Sequence, residues 1–383
     1  MTLYSGFVAE TYIWTQMTER YARLPSLTAA RGVAALMVAT FHASLVWPSA
    51  LEPIASLGWL GVSFFFILSG FVLTWSFSDE RPYSEFMAHR IARIFPVHLL
   101  CLAVVLCLFF VFRRPFGGYV GTPIGTVLQV FLVHDFVPGH PEIRQAWDGV
   151  AWSLSAEFFF YLFAPFIIRR LLGMPGYKLL NMAISLYVVH LLVGLIARKA
   201  GFVALYDFMQ YHPIAYMPLF IYGIVGAILL KRGVQIRVNL VLKVLLFLPV
   251  LVYCFRQQDR DAIAMIAMTA PAFVAFILDQ ARRDASGKRS LLGHSVFEKI
   301  GEISFSLYMV HAILLAIIAG AVARLHLTYH PIRFTAALLV VSLIASYVMY
   351  EVVELPMKKF VLSLFSRHRR SSSHTERNKN TVQ

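Results

Sequence analysis

The stretch LTAARGVAALMVATFHASLVW, residues 27–47, is long and apolar enough to cross a membrane, yet it carries Arg31 and His42. A helix crosses the hydrocarbon layer of a bilayer in ~20 residues. At ~100° per residue, the eleven steps from Arg31 to His42 end within ~20° of a whole turn, so both side chains project from one helix face about 16 Å apart. Because ionisable groups are costly inside a bilayer, we interpret this pair as a candidate functional site.

The composition places this helix in an all-α, polytopic membrane protein. Hydrophobic residues make up 59% of the 383 residues, charged residues only 14%, and the mean hydropathy is +0.69. Soluble domains are roughly a quarter charged. In lipid every backbone polar group needs an internal partner, which favours a bundle of helices. The net charge of +14 does not indicate nucleic acid as a partner, because the basic residues lie between the apolar runs and in the tail.

Hydropathy along the chain predicts ten transmembrane helices. They lie near residues 27–46, 57–77, 95–113, 150–171, 178–198, 214–231, 239–256, 260–279, 303–324 and 333–356. Basic residues concentrate in alternate connecting segments and in the tail, which predicts that both termini are cytoplasmic.

The chain is expected to form one membrane domain with two flanking segments. Residues 1–26 are predicted to be a cytoplasmic N-terminal segment without a signal peptide, residues 27–357 the membrane domain, and residues 358–383 a basic, disordered cytoplasmic tail.

The sequence predicts neither a metal site nor a tightly bound cofactor. It contains no HExxH, GxSxG, Walker or GxGxxG motif in a suitable context, and its three cysteines lie in apolar spans without the spacing of metal ligands. The cysteines are Cys101, Cys107 and Cys254.

Further motifs follow the Arg31–His42 pair in a fixed order. They are GWLGVSFFFILSGF at 58–71, EFMAHRIARIFPVH at 85–98, WSLSAEFFFYLFAP at 152–165, GEISFSLYMVHAIL at 301–314 and YEVVELP at 350–356. Together they resemble the acyltransferase 3 family of integral-membrane O-acyltransferases, here without the appended hydrolase-like domain that the family often carries. Ser63 departs from the family pattern where an acid is common, and His98 departs where tyrosine is common.

The resemblance implies transfer of an acyl group, most readily acetyl, from cytoplasmic acyl-CoA to a hydroxyl of a sugar in an envelope polysaccharide, exopolysaccharide or glycolipid. It further implies a bacterial cytoplasmic (inner) membrane location, with membrane lipid, acyl-CoA and a carbohydrate or glycolipid acceptor as partners. A homo-oligomer is an open expectation. A secondary transporter or flippase for an envelope precursor is the alternative, since it shares the helices and buried charges but usually shows broken helices or repeats.

Three arginines are the candidates for binding the acyl-CoA phosphates. Arg31 lies near the cytoplasmic end of the first helix, and Arg90 and Arg93 are placed one turn apart in the inner loop that leads to the third helix. Arginine pairs with phosphate bidentately, and the distance from Arg31 to His42 matches the reach of a pantetheine arm. The alternative for Arg90 and Arg93 is ordinary anchoring at the cytoplasmic membrane face.

His42 and Glu157 are the candidate catalytic residues. Imidazole has a pKa near neutrality and suits a general base that takes the proton of an acceptor hydroxyl, although a covalent acyl relay and a purely structural role stay open. Glu157 is expected at a similar depth, where its carboxylate either orients the imidazole or acts as a polar clamp or acceptor ligand.

Five more residues are candidates for lining a substrate channel: Ser69, Trp152, Ser153, Tyr308 and His311. Small hydroxyl residues also occur at ordinary helix contacts, and a packed, hydrogen-bonded histidine is as plausible for His311 as a channel role.

Overall fold

The computed structural model describes residues 24–365, except for 50, 114–119, 145, 200–202, 235–247, 249–261 and 289. Within these ranges the secondary structure is helical, and eight helices are long and apolar enough to cross a membrane. The described residues form nine long helices: α1 Pro25–Val46, α2 Leu60–Trp75, α3 Tyr83–Phe112, α4 Trp152–Leu172, α5 Gly176–Lys199, α6 Pro213–Lys231, α7 Ala262–Ala285, α8 Ser304–Arg324 and α9 Pro331–Met349. Of these, α7 is not among the eight candidate membrane spans. The all-α membrane architecture is thus confirmed.

The predicted spans agree with these helices except at a few points. The span predicted at 239–256 lies outside the described residues, and the span at 260–279 corresponds to α7. The third helix begins at Tyr83 rather than near residue 95. The side of the membrane on which the termini lie stays a prediction.

The last helix also continues further than expected. After α9 the chain forms a π-helical turn, Tyr350–Glu354, and then stays helical to Phe365. Pro356 does not end the helix, because it stands in the first turn after the π-helical segment, where a missing N–H is tolerated. Residues 358–365 are therefore helical rather than disordered, while 1–23 and 366–383 lie outside the described residues.

Two glycines bring the central helices α2 and α6 into backbone contact. A Cβ at Gly70 would lie 2.0 Å from the Phe220 carbonyl oxygen, and a Cβ at Gly223 would lie 1.9 Å from the Ile67 carbonyl oxygen. Lipid supplies no hydrophobic force between helices, so close packing of small residues is a main source of association. This crossing fixes the position of α2, which carries Ser69 into the centre of the bundle.

A second close crossing positions α1. The helix Ser295–Glu302 packs against α1, and a Cβ at Gly301 would lie 1.8 Å from the Thr28 carbonyl oxygen. The contact brings the start of α8 beside α1, so Arg31 lies next to Ser304.

Candidate active site

A cavity lies between α1, α2, α3, α4 and α8. Its polar lining residues are Arg31, Ser69, Arg90, Arg93, Ser153, Glu157, Tyr161, Ser304 and Tyr308, and its remaining lining residues are apolar. The structure therefore brings together, in one cavity, all three arginines predicted to bind the donor, the predicted carboxylate and three of the five predicted channel residues.

The arginines occupy one part of this cavity. Arg90 and Arg93 lie inside α3 and not in a loop, which corrects their predicted placement. Arg31 donates a hydrogen bond from Nη2 to Ser304 Oγ at 3.1 Å. Arg90 packs its guanidinium against Tyr161, 5.8 Å from the ring centroid, and its buried Nε has no hydrogen-bond partner. A buried donor without a partner is costly, so this nitrogen is available to an anionic ligand.

Glu157 lines the same cavity but does not bind His42. Its Oε1 accepts hydrogen bonds from Ser69 Oγ at 3.1 Å and from the Tyr161 hydroxyl. Of the two alternatives for Glu157, the structure does not show contact with the imidazole and shows instead a polar contact between helices, from Glu157 on α4 to Ser69 on α2. The sequence pointed to Tyr161 only weakly, through its position four residues after Glu157 on one helix face.

His42 instead pairs with His311. Nδ1 of His42 lies 3.1 Å from Nε2 of His311, and the ring centroids are 5.1 Å apart. Both histidines also contact a carbonyl oxygen of their own helix: His42 Nδ1 lies 3.0 Å from Val38 O, and His311 Nδ1 lies 3.2 Å from Leu307 O.

These contacts assign the tautomers of a neutral pair. A carbonyl oxygen only accepts, so Nδ1 of His311 carries a proton and Nε2 of His311 is an acceptor. Nδ1 of His42 then carries the proton shared between Val38 O and His311. Nε2 of His42 is left unprotonated, and the ring is partly exposed whereas His311 is fully buried. The arrangement leaves one basic nitrogen that a substrate can approach.

Tyr308 separates the histidine pair from the cavity. Its ring lies 5.7 Å from the His311 ring, and its hydroxyl is 2.6 Å from Ser153 Oγ and donates to Val150 O at 3.1 Å. Neither histidine lines the cavity, so the predicted channel residue His311 lies outside it, and Arg31 and His42 do not share one cavity that could hold the pantetheine arm between them. Trp152 also lies outside the lining and packs against Tyr216, with ring centroids 5.4 Å apart.

Described residues of the segment between α3 and α4 are hydrogen-bonded to α3 and to Tyr308. His98 Nε2 donates to Gln129 O at 2.8 Å, and Gln129 Nε2 donates to Asp148 O at 3.0 Å. Two residues further, Val150 O accepts from Tyr308. Hydrogen bonds and the short backbone segment from Asp148 to Val150 therefore link α3 to Tyr308. His98, which departs from the family pattern, is the residue of α3 at which this link begins.

Asp148, in the same segment, is buried, and we expect it to make the stability of the protein depend on pH. Burial raises the pKa of the Asp148 carboxyl from 3.8 to about 7. The folded protein therefore retains a proton that the unfolded chain has lost, so stability is greatest below pH 4 for this group and falls as the pH rises toward 7. We expect Asp148→Asn, which cannot ionise, to be more stable than the unaltered protein at pH 8, by at most about 4 kcal/mol, with a smaller difference at pH 5.

Thermal unfolding of both proteins in detergent across pH 4–8 measures this difference. Glu80→Gln, which alters an exposed carboxylate, serves as the control and should leave the pH dependence unchanged. Equal pH dependence for the unaltered protein and Asp148→Asn would contradict the assignment.

A family model described as an acyltransferase domain, acyltransferase 3, matches residues 24–351. The chain belongs to this acyltransferase family. The match covers the cavity, the histidine pair and nearly all of the described helices. The family match identifies the chain as an integral-membrane enzyme and not a secondary transporter or flippase.

Individual relatives agree with the family. Acyltransferase MdmB of Streptomyces mycarofaciens is 31% identical over 90% of this chain and 94% of its own length. A putative acetyltransferase of Acidianus two-tailed virus is 27% identical over 78% of this chain and 85% of its own length. Peptidoglycan O-acetyltransferase OatA of Listeria monocytogenes is 28% identical over 43% of this chain and 27% of its own length. No solved structure matches the chain.

Proposed function

We propose that this acyltransferase moves an acyl group, most readily acetyl, from cytoplasmic acyl-CoA to a sugar hydroxyl of an envelope polysaccharide, exopolysaccharide or glycolipid. The observation that carries the proposal is the separation of two chemically different sites across one wall. Three arginines line the cavity on one side of Tyr308, and a histidine with an unprotonated nitrogen lies on the other. The similarity to a peptidoglycan O-acetyltransferase supports a carbohydrate acceptor.

The donor is placed with its phosphates on Arg31, Arg90 and Arg93 and its thioester toward Ser153 and Tyr308. Arginine is suited to phosphate because its planar fork donates two parallel hydrogen bonds. Glu157, held by Ser69 and Tyr161, balances part of the positive charge near the arginines and lies beside the path of the pantetheine arm. We therefore propose that Glu157 shapes the donor site and contributes a negative charge to it, and that it does not orient His42.

The transfer step uses Nε2 of His42 as general base. Nε2 takes the proton of the acceptor hydroxyl as that oxygen attacks the thioester carbonyl, the new C–O bond forms, and the C–S bond breaks. The proton is then returned to the CoA sulfur, so ester and CoA thiol are the products. A placed base contributes about 10²- to 10⁴-fold. For the two substrates to meet, the side chain of Tyr308 has to move away from the wall between the cavity and the histidine pair.

We place the enzyme in the bacterial cytoplasmic membrane, with the arginine side of the cavity toward the cytoplasm, where acyl-CoA is made.

Mass spectrometry of envelope glycans and glycolipids from cells with and without the protein tests the function. We expect one acylated species to disappear when the protein is absent and to return with the intact gene. An unchanged acylation pattern, together with loss of export of an envelope precursor, would overturn the proposal.

A further inference from the structure

Charged residues from the last helix lie beside the arginines of the cavity. Glu354 is 6% exposed and accepts a hydrogen bond from Ser306 Oγ at 2.7 Å. It interacts electrostatically with Arg93 and Arg31. Glu351, three residues earlier, is exposed and binds Lys299 at 3.3 Å. The π-helical turn that contains both glutamates therefore directs only Glu354 toward Ser306 and the arginines, just outside the residues that line the cavity.

The same turn determines where Lys358 lies. Residues four apart share one helix face, so Lys358 follows Glu354 on the side toward the arginines. Lys358 is partly buried and interacts electrostatically with Arg93, Arg90 and Glu354. The neighbouring Lys359 is exposed and points elsewhere. The π-helical turn packs against α3, which carries both arginines.

The charges at this end of the site do not balance. Arg31, Arg90, Arg93 and Lys358 supply four positive charges, against the two carboxylates Glu157 and Glu354. Buried charges of one sign are costly unless a counter-ion accompanies them. The buried Nε of Arg90, which has no hydrogen-bond partner, indicates that a ligand completes the cluster. An anion with more than one negative charge suits this site, and the nucleotide end of CoA is such an anion.

We propose that Lys358 is a further phosphate-binding residue of the donor site and that Glu354 positions it together with Arg31 and Arg93. The inference rests on the proposed function, because acyl-CoA is taken as the donor. Hydropathy assigned Lys358 to the cytoplasmic tail. Because the last helix continues beyond Pro356, Lys358 instead lies on a helix that is continuous with the membrane domain. Lysine acts on phosphate as a point charge, which complements the forked hydrogen bonds of the arginines.

The test compares Lys358→Met with Lys359→Met, two variants of equal net charge that differ in the face they alter. Binding of CoA to the purified, full-length protein is measured by calorimetry, and kcat and KM are measured with acetyl-CoA and with S-acetylpantetheine, which lacks the nucleotide. We expect Lys358→Met to weaken CoA binding and raise KM for acetyl-CoA about tenfold, with kcat little changed. Lys359→Met should resemble the unaltered protein.

The truncated donor separates phosphate binding from a structural role. KM for S-acetylpantetheine should be the same in Lys358→Met and the unaltered protein, and Lys358→Arg should restore most of the CoA affinity. A similar rise in KM for both donors, or CoA binding as tight as in the unaltered protein, would overturn the assignment of Lys358. If the unaltered protein itself binds no CoA, the proposed function fails first, and this assignment fails with it.

Discussion

His42→Ala is expected to lower acyl transfer by about 10²- to 10⁴-fold while the protein still folds and binds CoA. The reason is that His42 carries the unprotonated Nε2 of the histidine pair, and the proposed phosphate-binding groups lie on the other side of Tyr308. Removing the imidazole therefore removes the base and leaves the donor site in place. The measurement is kcat with acetyl-CoA and an envelope acceptor fraction, together with CoA affinity of the same preparation.

A buried histidine elsewhere in the bundle provides the control. His190 lies on α5, is 5% exposed and contributes nothing to the cavity lining. His190→Ala should therefore cost stability without a specific loss of kcat. Continued acyl transfer by His42→Ala would defeat the proposed mechanism and would direct attention to Glu157, the carboxylate that lines the cavity.

His311 is expected to act through His42. His311→Ala removes one of the two acceptors for the Nδ1 proton of His42 and leaves only Val38 O, and we expect kcat to fall about tenfold because the reactive tautomer and ring orientation are less populated. His311→Gln supplies a carbonyl acceptor and should recover part of the loss. In a His42→Ala background His311→Ala should have little further effect on kcat, since residues that act as a unit are not additive. Full additivity of the two losses would argue for independent roles.

Gly223→Val is expected to prevent formation of a stable folded protein. The added Cβ would lie 1.9 Å from Ile67 O and 2.7 Å from Phe71 N, and both neighbours are backbone atoms of α2 that cannot turn away. The helices would have to separate, which moves Ser69 away from Glu157 and costs about 3 kcal/mol or more. Yield of monodisperse protein in mild detergent and its melting temperature measure the effect.

Gly320→Val is the matched control, because a Cβ at Gly320 has no atom within 4 Å. It should leave yield and melting temperature close to those of the unaltered protein. Equal melting temperatures for Gly223→Val and the unaltered protein would show that α2 and α6 do not pack as closely as described.

Hydropathy and the order of the motifs were sufficient to predict the all-α membrane class, most of the spans and the family. The sequence also selected the three arginines, Glu157 and three channel residues that line one cavity, because ionisable and polar side chains stand out in apolar segments. Hydropathy is a local property of ~20 residues, which is enough to recognise a crossing helix. The hydropathy prediction was wrong about the start of α3 and the end of the last helix. Basic residues and a proline inside a helix resemble the end of a membrane span.

Which polar groups contact one another could not be predicted without the packing of the helices. His42 and His311 are 269 positions apart in the chain, and Arg31 and Ser304 are 273 apart, so no local spacing relates them. In helices that are apolar nearly all round, periodicity does not reveal which face turns inward. Rotation and depth are set instead by close backbone crossings such as Gly70 with α6 and Gly301 with α1. For that reason Glu157 accepts hydrogen bonds from Ser69 and Tyr161, and His42 is hydrogen-bonded to His311 on α8.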